Sequence, residues 1–214
     1  KVLKLPRGVG SSLKQDIEKL VRKLLKAMPL AFDNEMYFSR ADRLKNQLAT
    51  KQQATLETIS QEAKDQGINL TITTQGDYQF VAMNGDDLHT EESFDLLSPE
   101  EQDQFDKTID GLEVGLRTIS RELTELEETY TEKIQKLNDD TARDVITHFI
   151  KQLKQDYNQF PDIKKYLTAL RKDIVDNADI FLEESTEQAE VATASLDKKM
   201  PRRYKVNVIV SQKE

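Results

Sequence analysis

The fold is decided by residues 98–130, which read SPEEQDQFDKTIDGLEVGLRTISRELTELEETY. Ser98 and Glu101 have the spacing of a helix capping box, and Pro99 takes the first helical position. The stretch therefore predicts a long helix, continuing to about Leu153, with any kink at 138–140. Its apolar residues are spaced alternately by four and three positions, as in coiled-coil packing; they are Phe105, Ile109, Leu112, Leu116, Ile119, Leu123, Leu126 and Tyr130.

A second long helix is predicted to be the partner of the first. Asp33 is expected to cap it, and it ends near Gln66, with Gly67 as the C-terminal glycine. Its apolar stripe is thin, so it needs a partner along its length to be stable; the stripe consists of Met36, Ala41, Leu44, Leu48, Leu56, Ile59 and Ala63. We expect the two helices to run antiparallel, with Leu44, Leu48, Leu56 and Ile59 facing Ile109, Leu112, Leu116, Ile119 and Leu123.

Between these helices the apolar period changes from 3.6 to 2. Residues 68–73 and 78–82 alternate apolar and polar side chains around Gln75-Gly76-Asp77, which predicts a β-hairpin. Shorter elements are expected at the two ends of the chain. These are a strand at Val2–Leu5, a helix capped by Ser11 or Ser12 and ended by Pro29, a helix from Pro161, and a strand at Tyr204–Val210.

The predicted fold class is mainly α: a long antiparallel helical coiled coil or bundle with a small β-hairpin at its tip and a short strand at each terminus. The expected division of the chain is 1–32 for a strand and helix of the base, 33–160 for a long arm with its tip at about 67–97, 161–182 for a helix returning to the base, 183–200 for a linker, and 201–214 for a terminal strand.

Composition excludes several kinds of site. The formal net charge is −8, 33% of residues are charged, and there are no cysteines, which rules out disulfides, a zinc ribbon and a thiol nucleophile. Residues 86–140 hold 18 acidic and five basic side chains, a balance that would repel nucleic acid. No apolar run approaches the roughly 18 residues of a membrane span. The chain does not begin with Met, so we expect it to lie within a longer protein.

Three local motifs each have an ordinary explanation beside a functional one. Residues 11–14 match the S-x-x-K pattern of serine acyl-transfer enzymes, but a helix cap explains the serines without the missing partner motifs. Residues 8–10 match part of a phosphate-binding loop, but they are better explained as a turn. The third motif is the acidic stretch at residues 86–95, which either binds a hard cation or is a solvated tip. His89 and His148 are predicted to lie at the surface or the edge of the core. We therefore predict no catalytic, cofactor-binding or metal-ligating residue in this segment.

The ends and the middle of the chain resemble a segment of Lon-related ATP-dependent proteases, in the LonC-like branch whose AAA-type module carries a helical insertion. The resemblance covers nearly the whole chain in pattern and order. It implies that the nucleotide-binding loop lies upstream of Lys1 and that the Ser–Lys peptidase dyad lies downstream of Glu214, so no catalytic residue of the family is transferred to this chain. The matching residues are Leu3 to Gly10, Leu137-Asn138, Ala142-Arg143, His148, Phe160 to Leu167, Asp173 to Asn177 and Arg202 to Val210.

The resemblance implies a non-catalytic helical domain of a Lon-type ATP-dependent serine protease that engages or gates protein substrates. Its expected partners are unfolded proteins and the rest of a homo-oligomeric parent, with no nucleic acid and no membrane. ATP is a cofactor of the parent alone, and the expected compartment is the cytoplasm. The alternative is a free-standing coiled-coil scaffold or holdase chaperone.

The tip is the candidate contact surface for unfolded polypeptide. The acidic residues around it would favour basic segments, and an open strand edge could accept an added strand. The alternative is that the same side chains only form a small core that closes the coiled coil. The candidate contact residues are Tyr78, Phe80, Phe94, Leu96 and Leu97.

Overall fold

The computed structural model describes residues 2–186 and 201–209, and in these residues the fold is mainly α, as predicted. The six helices of the described residues are α1 (Val9–Phe32), α2 (Glu35–Asp65), α3 (Glu91–Asp95), α4 (Pro99–Asp156), α5 (Pro161–Asp176) and α6 (Asp179–Thr186). Three short strands, β1 (Ile68–Ile72), β2 (Tyr78–Asn84) and β3 (Asp87–Leu88), form one antiparallel sheet in the order β1-β2-β3. None of the described helices is long and apolar enough to cross a membrane.

The chain divides into two compact units. Unit 1 comprises residues 1–41 and 134–214, and unit 2 comprises residues 42–133. In unit 1, apolar side chains from α1, the later part of α4, α5 and α6 meet in one core. A helix with neighbours on several sides can bury its whole apolar stripe. The fully buried residues of this core include Ile17, Leu24, Ile146, Ile163, Leu167 and Phe181.

Polar contacts add to this core. The Tyr157 hydroxyl donates to Asp16 Oδ2 at 2.8 Å, and burial together with this bond raises the pKa of Tyr157. The Tyr37 hydroxyl donates to Asn138 Oδ1 at 2.8 Å. Both bonds join residues that are more than 100 positions apart in the sequence, so they fix the pairing of distant helices.

Unit 2 is built on the antiparallel pairing of α2 with the first part of α4. Gln52 Nε2 donates to Glu127 Oε1 at 3.2 Å, and Ile59, seven residues further along α2, lies close to Gly115. Later residues of α2 therefore contact earlier residues of α4, as in an antiparallel pair. Ile59 packs with Leu112 and its neighbours on α4, as predicted. The seam between the helices is only partly buried beyond this cluster, because each helix has one helical neighbour there. Its half-buried positions are Leu44, Leu48, Leu56, Leu116, Ile119, Leu123 and Leu126.

The prediction that Pro29 ends the first helix is wrong. Helix α1 continues to Phe32, and the Asp33 N–H donates to the Pro29 carbonyl at 2.9 Å. A proline so near the end removes a single ladder bond, and the last turn is held because Phe32 packs against the core of unit 1. The helix also begins earlier than predicted: Gly8, with φ of 87°, precedes it, and the Ser12 hydroxyl bonds back to the Gly8 carbonyl rather than capping the helix.

Helix α2 is capped one residue later than predicted. Asn34 Oδ1, not the Asp33 carboxylate, accepts from the Tyr37 N–H at 2.9 Å. Met36, expected on the buried stripe, is 66% exposed, and Tyr37 takes the inward position instead. At the other end Gly67 has φ of 74° and donates to Lys64, which confirms the predicted C-terminal glycine.

The capping box that starts α4 is present as predicted. The backbone N–H and the hydroxyl of Ser98 both donate to Glu101 Oε2, and the backbone N–H of Glu101 donates to Ser98 Oγ. These bonds favour the ionised carboxylate, so the pKa of Glu101 is lowered, first by the hydroxyl and then by the backbone donor. The helix then runs 58 residues without interruption through positions 138–140.

The single helix predicted for 161–182 is two helices. Asn177 Nδ2 donates to the Asp173 carbonyl at 2.7 Å and replaces the next ladder bond, so α5 ends at Asp176 and α6 begins at Asp179. Helix α6 reaches Thr186, inside the segment predicted as the linker 183–200; the rest of that segment, 187–200, lies outside the described residues.

The terminal strands are not formed at residues 2–5 or 204–209, and Val210 to Glu214 lie outside the described residues. No strand of the described residues stands beside either segment, so some of their apolar side chains pack individually on the helices, whereas Val2 and Ile209 are exposed. Leu3, Leu5 and Val206 pack against the core of unit 1. Tyr204 lies in a short 3₁₀ turn and is buried, with its ring stacked on Phe181 at 5.4 Å.

Candidate functional site

The small sheet of unit 2 is entered by one sharp turn and has two more between its strands. Glycines at positive φ, Gly67, Gly76 and Gly85, occupy the turns that lead into β1, from β1 to β2 and from β2 to β3. Pairing of β1 with β2 runs without a bulge from Ile68 opposite Ala82 to Ile72 opposite Tyr78. The predicted hairpin is therefore present, with β3 as an unpredicted third strand.

One face of the sheet closes a small core. Ile68, Phe80 and Ala82 are buried with Ile59 and Ala63 of α2 and Leu112 of α4. Phe80, a candidate contact residue, is only 7% exposed. Its ring is thus part of the packing that holds the sheet on the helices and is not available to a partner while the sheet stays folded.

Helix α3 is fixed against the start of α4 by polar groups and aromatic rings. The Thr90 and Ser93 side chains form a reciprocal capping box, and Gln102 Nε2 donates to the carbonyls of Phe94 and Leu97 at 3.0 and 3.3 Å. Phe94 and Leu97, two more candidate contact residues, are half-buried as a result.

His89 is the centre of an aromatic cluster that sequence reasoning missed. Its ring meets Phe94 and Phe105 edge-on at centroid distances of 6.1 and 6.0 Å, and Nδ1 lies 3.0 Å from Ser93 Oγ. The three rings come from the loop after β3, from α3 and from α4, so no local spacing signals the cluster. His89 has a structural role here, because both ring contacts and its hydrogen bond hold α3 in place.

Several apolar side chains of unit 2 remain at the surface. Leu96, a candidate contact residue, is 87% exposed, and Ile72, which was not among the candidates, is 67% exposed. Leu88 of β3 and Val114 of α4 are also exposed, and Tyr78 is half-buried. Of the five candidates, only Leu96 therefore presents most of its surface to solvent.

The electrostatics around the sheet are one-sided. Residues 66–106 contain ten Asp and Glu and no Lys or Arg. Asp103 pairs with Lys107 just beyond this stretch. The other carboxylates have no Lys or Arg among them in the sequence, so they repel one another and attract cationic groups over about a Debye length, ~8 Å at physiological ionic strength. This stretch includes all three strands, α3 and the first turns of α4, so the exposed apolar residues Ile72, Leu88 and Leu96 lie within an acidic segment.

Other sequence motifs have ordinary positions. Ser11 is exposed on α1, and Lys14 lies 4.0 Å from the Glu18 carboxylate on the same helix. Gly10 packs beneath Val208. His148 is exposed. In the described residues, no three His, Asp or Glu side chains are grouped as metal ligands would be.

A shallow cleft of about 560 Å³ lies between the end of α2 and the start of α4. Its walls include Glu62, Gln66 and Gly111, and the ion pair of Lys107 with Asp103 at 2.5 Å also borders it. The cleft is polar and open to solvent, and no nucleophile with an adjacent base lines it. Its chemistry is that of a solvated surface.

The functional assignment depends on the chain itself, because neither protein-family models nor curated proteins give a match to this sequence.

Proposed function

We propose that this chain is a non-catalytic helical domain of a Lon-type ATP-dependent serine protease and that it engages unfolded protein substrates. The order of motifs from Leu3 to Val210, which resembles that family, supports the parentage. ATP binding, peptide cleavage and homo-oligomer formation are then properties of the parent, and the cytoplasm is the proposed compartment.

The observation that carries the proposed role is the surface of the small sheet. Ile72, Leu88 and Leu96 are exposed on a segment that is otherwise acidic and that folds around its own core. Exposed apolar groups on a well-packed support can bind apolar segments of an unfolded chain, and the surrounding carboxylates keep the surface from aggregating.

Binding of a permanently unfolded protein tests this role directly. We expect fluorescein-labelled, reduced and carbamidomethylated lactalbumin, whose blocked cysteines carry no charge, to bind the chain. The native disulfide-bonded form should bind at least about tenfold more weakly because its apolar segments are buried. Leu96→Ser should weaken binding, and Leu30→Ser is the matched control, since Leu30 is an exposed leucine of unit 1. Equal affinity for the unfolded and native forms would contradict the role.

The parentage has a separate test. The coding sequence that surrounds this segment should encode a Lon-type peptidase domain downstream, whereas a stop codon at Glu214 would favour the alternative of a free-standing scaffold or holdase. The isolated segment should neither hydrolyse ATP nor cleave casein. Turnover that disappears in Ser11→Ala or Lys14→Ala would show that the S-x-x-K match is catalytic after all.

A further inference from the structure

Strand β1 is an edge strand whose outer side has no strand beside it within the described residues. At the two ends of its pairing with β2, the Met83 N–H donates to Gly67 and the Thr73 N–H donates to Asp77, both at 2.8 Å. Bonded and non-bonded positions alternate in an antiparallel ladder. The backbone groups of 69 and 71 therefore point to β2, and those of 68, 70 and 72 point to the outer edge.

The outer edge of β1 lacks the features that usually prevent strand addition. Natural edge strands are protected by lysines, prolines, bulges or inward-pointing charges. The sequence of β1 is INLTI, with no charge and no proline, and its register against β2 is regular over all five residues. Ile72 at its end is 67% exposed. Ile68 is fully buried, so the open part of this edge runs from Leu70 to Ile72, and no feature of the strand's own sequence there opposes an added extended chain.

The charge of the surrounding segment restricts what that chain can be. With ten acidic and no basic residues in 66–106, an incoming segment that carries Lys or Arg gains attraction, and an acidic one is repelled. The same charge opposes pairing of two copies of this chain through their β1 edges, because like-charged segments would be brought together. The edge and the charge thus favour the same partner, an extended cationic polypeptide.

We propose that the outer edge of β1 binds a segment of an unfolded protein in which apolar residues alternate with Lys or Arg, as a strand added to the sheet. The segment exchanges backbone hydrogen bonds with Leu70 and Ile72, the outward-facing residues of β1 that are not buried. Because side chains of a strand alternate between two faces, its apolar residues lie beside Ile72 while its basic residues lie toward solvent and the carboxylates. This inference rests on the proposed function and specifies the substrate class of the same surface.

Three short fluorescent peptides test the proposal with the full chain. The first alternates Lys and Val, the second alternates Glu and Val, and the third is the first with N-methyl groups on the alternate backbone nitrogens of one edge, which blocks strand addition and keeps every side chain. By fluorescence anisotropy we expect the Lys peptide to bind at least about tenfold more tightly than either of the others, with weaker binding in about 0.5 M NaCl.

Two variants of the protein locate the binding to this edge. Ile72→Pro removes an outward N–H that β2 does not use, and Ile72→Thr removes apolar surface but keeps the N–H. We expect about a tenfold loss of Lys-peptide affinity for the proline variant and about a threefold loss for the threonine variant, with circular dichroism confirming that both are folded. The N-methyl peptide tests the same bond with an unaltered protein, so a misfolded variant does not remove the test.

The outcomes separate this inference from the proposed function. Unfolded lactalbumin that binds, together with Lys and N-methyl peptides of equal affinity, would overturn strand addition and leave the proposed function standing. Failure of both the lactalbumin and all peptides to bind would overturn both. A dimer in sedimentation that Ile72→Pro dissociates would overturn the proposed occupant, since a second copy would then hold the edge.

Discussion

The two units differ in how many apolar side chains they bury and in the sign of their net charge. Within the described residues, the core cluster of unit 1 has 17 buried side chains and that of unit 2 has six. By sequence, unit 1 carries 23 basic and 18 acidic residues, a net charge of +5, whereas unit 2 carries eight and 21, a net charge of −13. Unit 1 is stabilised by a continuous core, and unit 2 by one small cluster and a half-buried seam.

The difference shows what a regular apolar pattern does and does not determine. The four-three spacing in α4 gives the helix a continuous seam, but a pair of helices covers each seam from one side only. The same kinds of residue are fully buried in unit 1 because a third and a fourth helix cover the remaining sides. Unit 2 can therefore keep exposed apolar groups and open strand edges, and the stability of the whole chain does not depend on them.

The largest effect is expected from truncation of the unit 1 core. Phe181 is fully buried against Tyr204, so Phe181→Ala should lower the free energy of unfolding by about 3–5 kcal/mol. Leu123→Ala, at a half-buried position of the unit 2 seam, should cost roughly 1 kcal/mol. Urea unfolding followed by hydrogen exchange with mass spectrometry measures both and assigns each loss to its unit. Similar losses for the two variants would contradict the contrast between the units.

Two buried tyrosines of unit 1 should differ in how much stability they lose with the hydroxyl. Tyr157 bonds to Asp16, so Tyr157→Phe should cost about 1–2 kcal/mol, measured by thermal unfolding. The Tyr204 hydroxyl makes no well-aligned hydrogen bond within the described residues, although Asp173 and Arg203 lie beside it, so Tyr204→Phe should cost less than Tyr157→Phe. An equal loss for the two variants would show that the Tyr204 hydroxyl is as well bonded in the folded protein as that of Tyr157.

The Tyr157 variant also has a pH signature. Burial, and then the bond to Asp16, raise the pKa of Tyr157, so the folded protein binds that proton more tightly than the unfolded chain does. The resulting stability is fully present below the ordinary tyrosine pKa of about 10 and is lost as the pH rises above it. Tyr157→Phe should therefore lose less stability than the wild type between neutral and strongly alkaline pH.

Two glycines of α4 provide a smaller, paired test in unit 2. A Cβ at Gly111 would meet nothing within 4 Å, so Gly111→Ala should raise stability by about 1 kcal/mol through helix propensity. A Cβ at Gly115 would lie 3.0 Å from Cδ1 of Ile59, which is only 2% exposed. Gly115→Ala should then fall at or below the wild type in urea unfolding. An equal gain for both variants would mean that α2 and α4 are loosely packed at this point.

Those glycines illustrate which features the sequence could predict. The helices, the hairpin and the Ser98–Glu101 capping box follow from local spacing, because their causes lie within a few residues of one another. The close approach of Gly115 to Ile59 depends on how two helices meet, as does the aromatic cluster around His89. Neither leaves a local signal.

The wrong predictions have the same cause. Pro29 marks a helix end in isolation, but the packing of Phe32 extends α1 beyond it. Val2–Leu5 has a strand pattern, but without a neighbouring strand in the described residues its two leucines pack against the core of unit 1 and Val2 stays exposed. The exposure of Ile72 and the burial of Phe80 at the candidate surface depend on which face of the hairpin meets α2 and α4. Alternation predicts two faces but does not show which individual residues stay covered.

The smallest effect is expected from the ion pair that holds the 201–207 segment on α5. Arg203 donates to both carboxylate oxygens of Asp173, at 2.8 and 2.5 Å, and these bonds lower the pKa of Asp173. A lowered pKa contributes stability that is present above the unfolded value of about 4 and is lost as the pH falls through the folded value. The two side chains are 37% and 51% exposed, so the contribution should be under about 1 kcal/mol.

Asp173→Asn should therefore lower the Tm at pH 7 by roughly 2–4 °C at most, and the difference from the wild type should shrink as the pH falls through the lowered pKa of Asp173. The same variant should speed hydrogen exchange at 201–207, because the ion pair holds that segment. Asp140→Asn is the control, since Asp140 pairs with Arg143 within α4 and should leave exchange at 201–207 unchanged. A Tm difference that persists unchanged in acid would show that Asp173 acts through packing rather than through its charge.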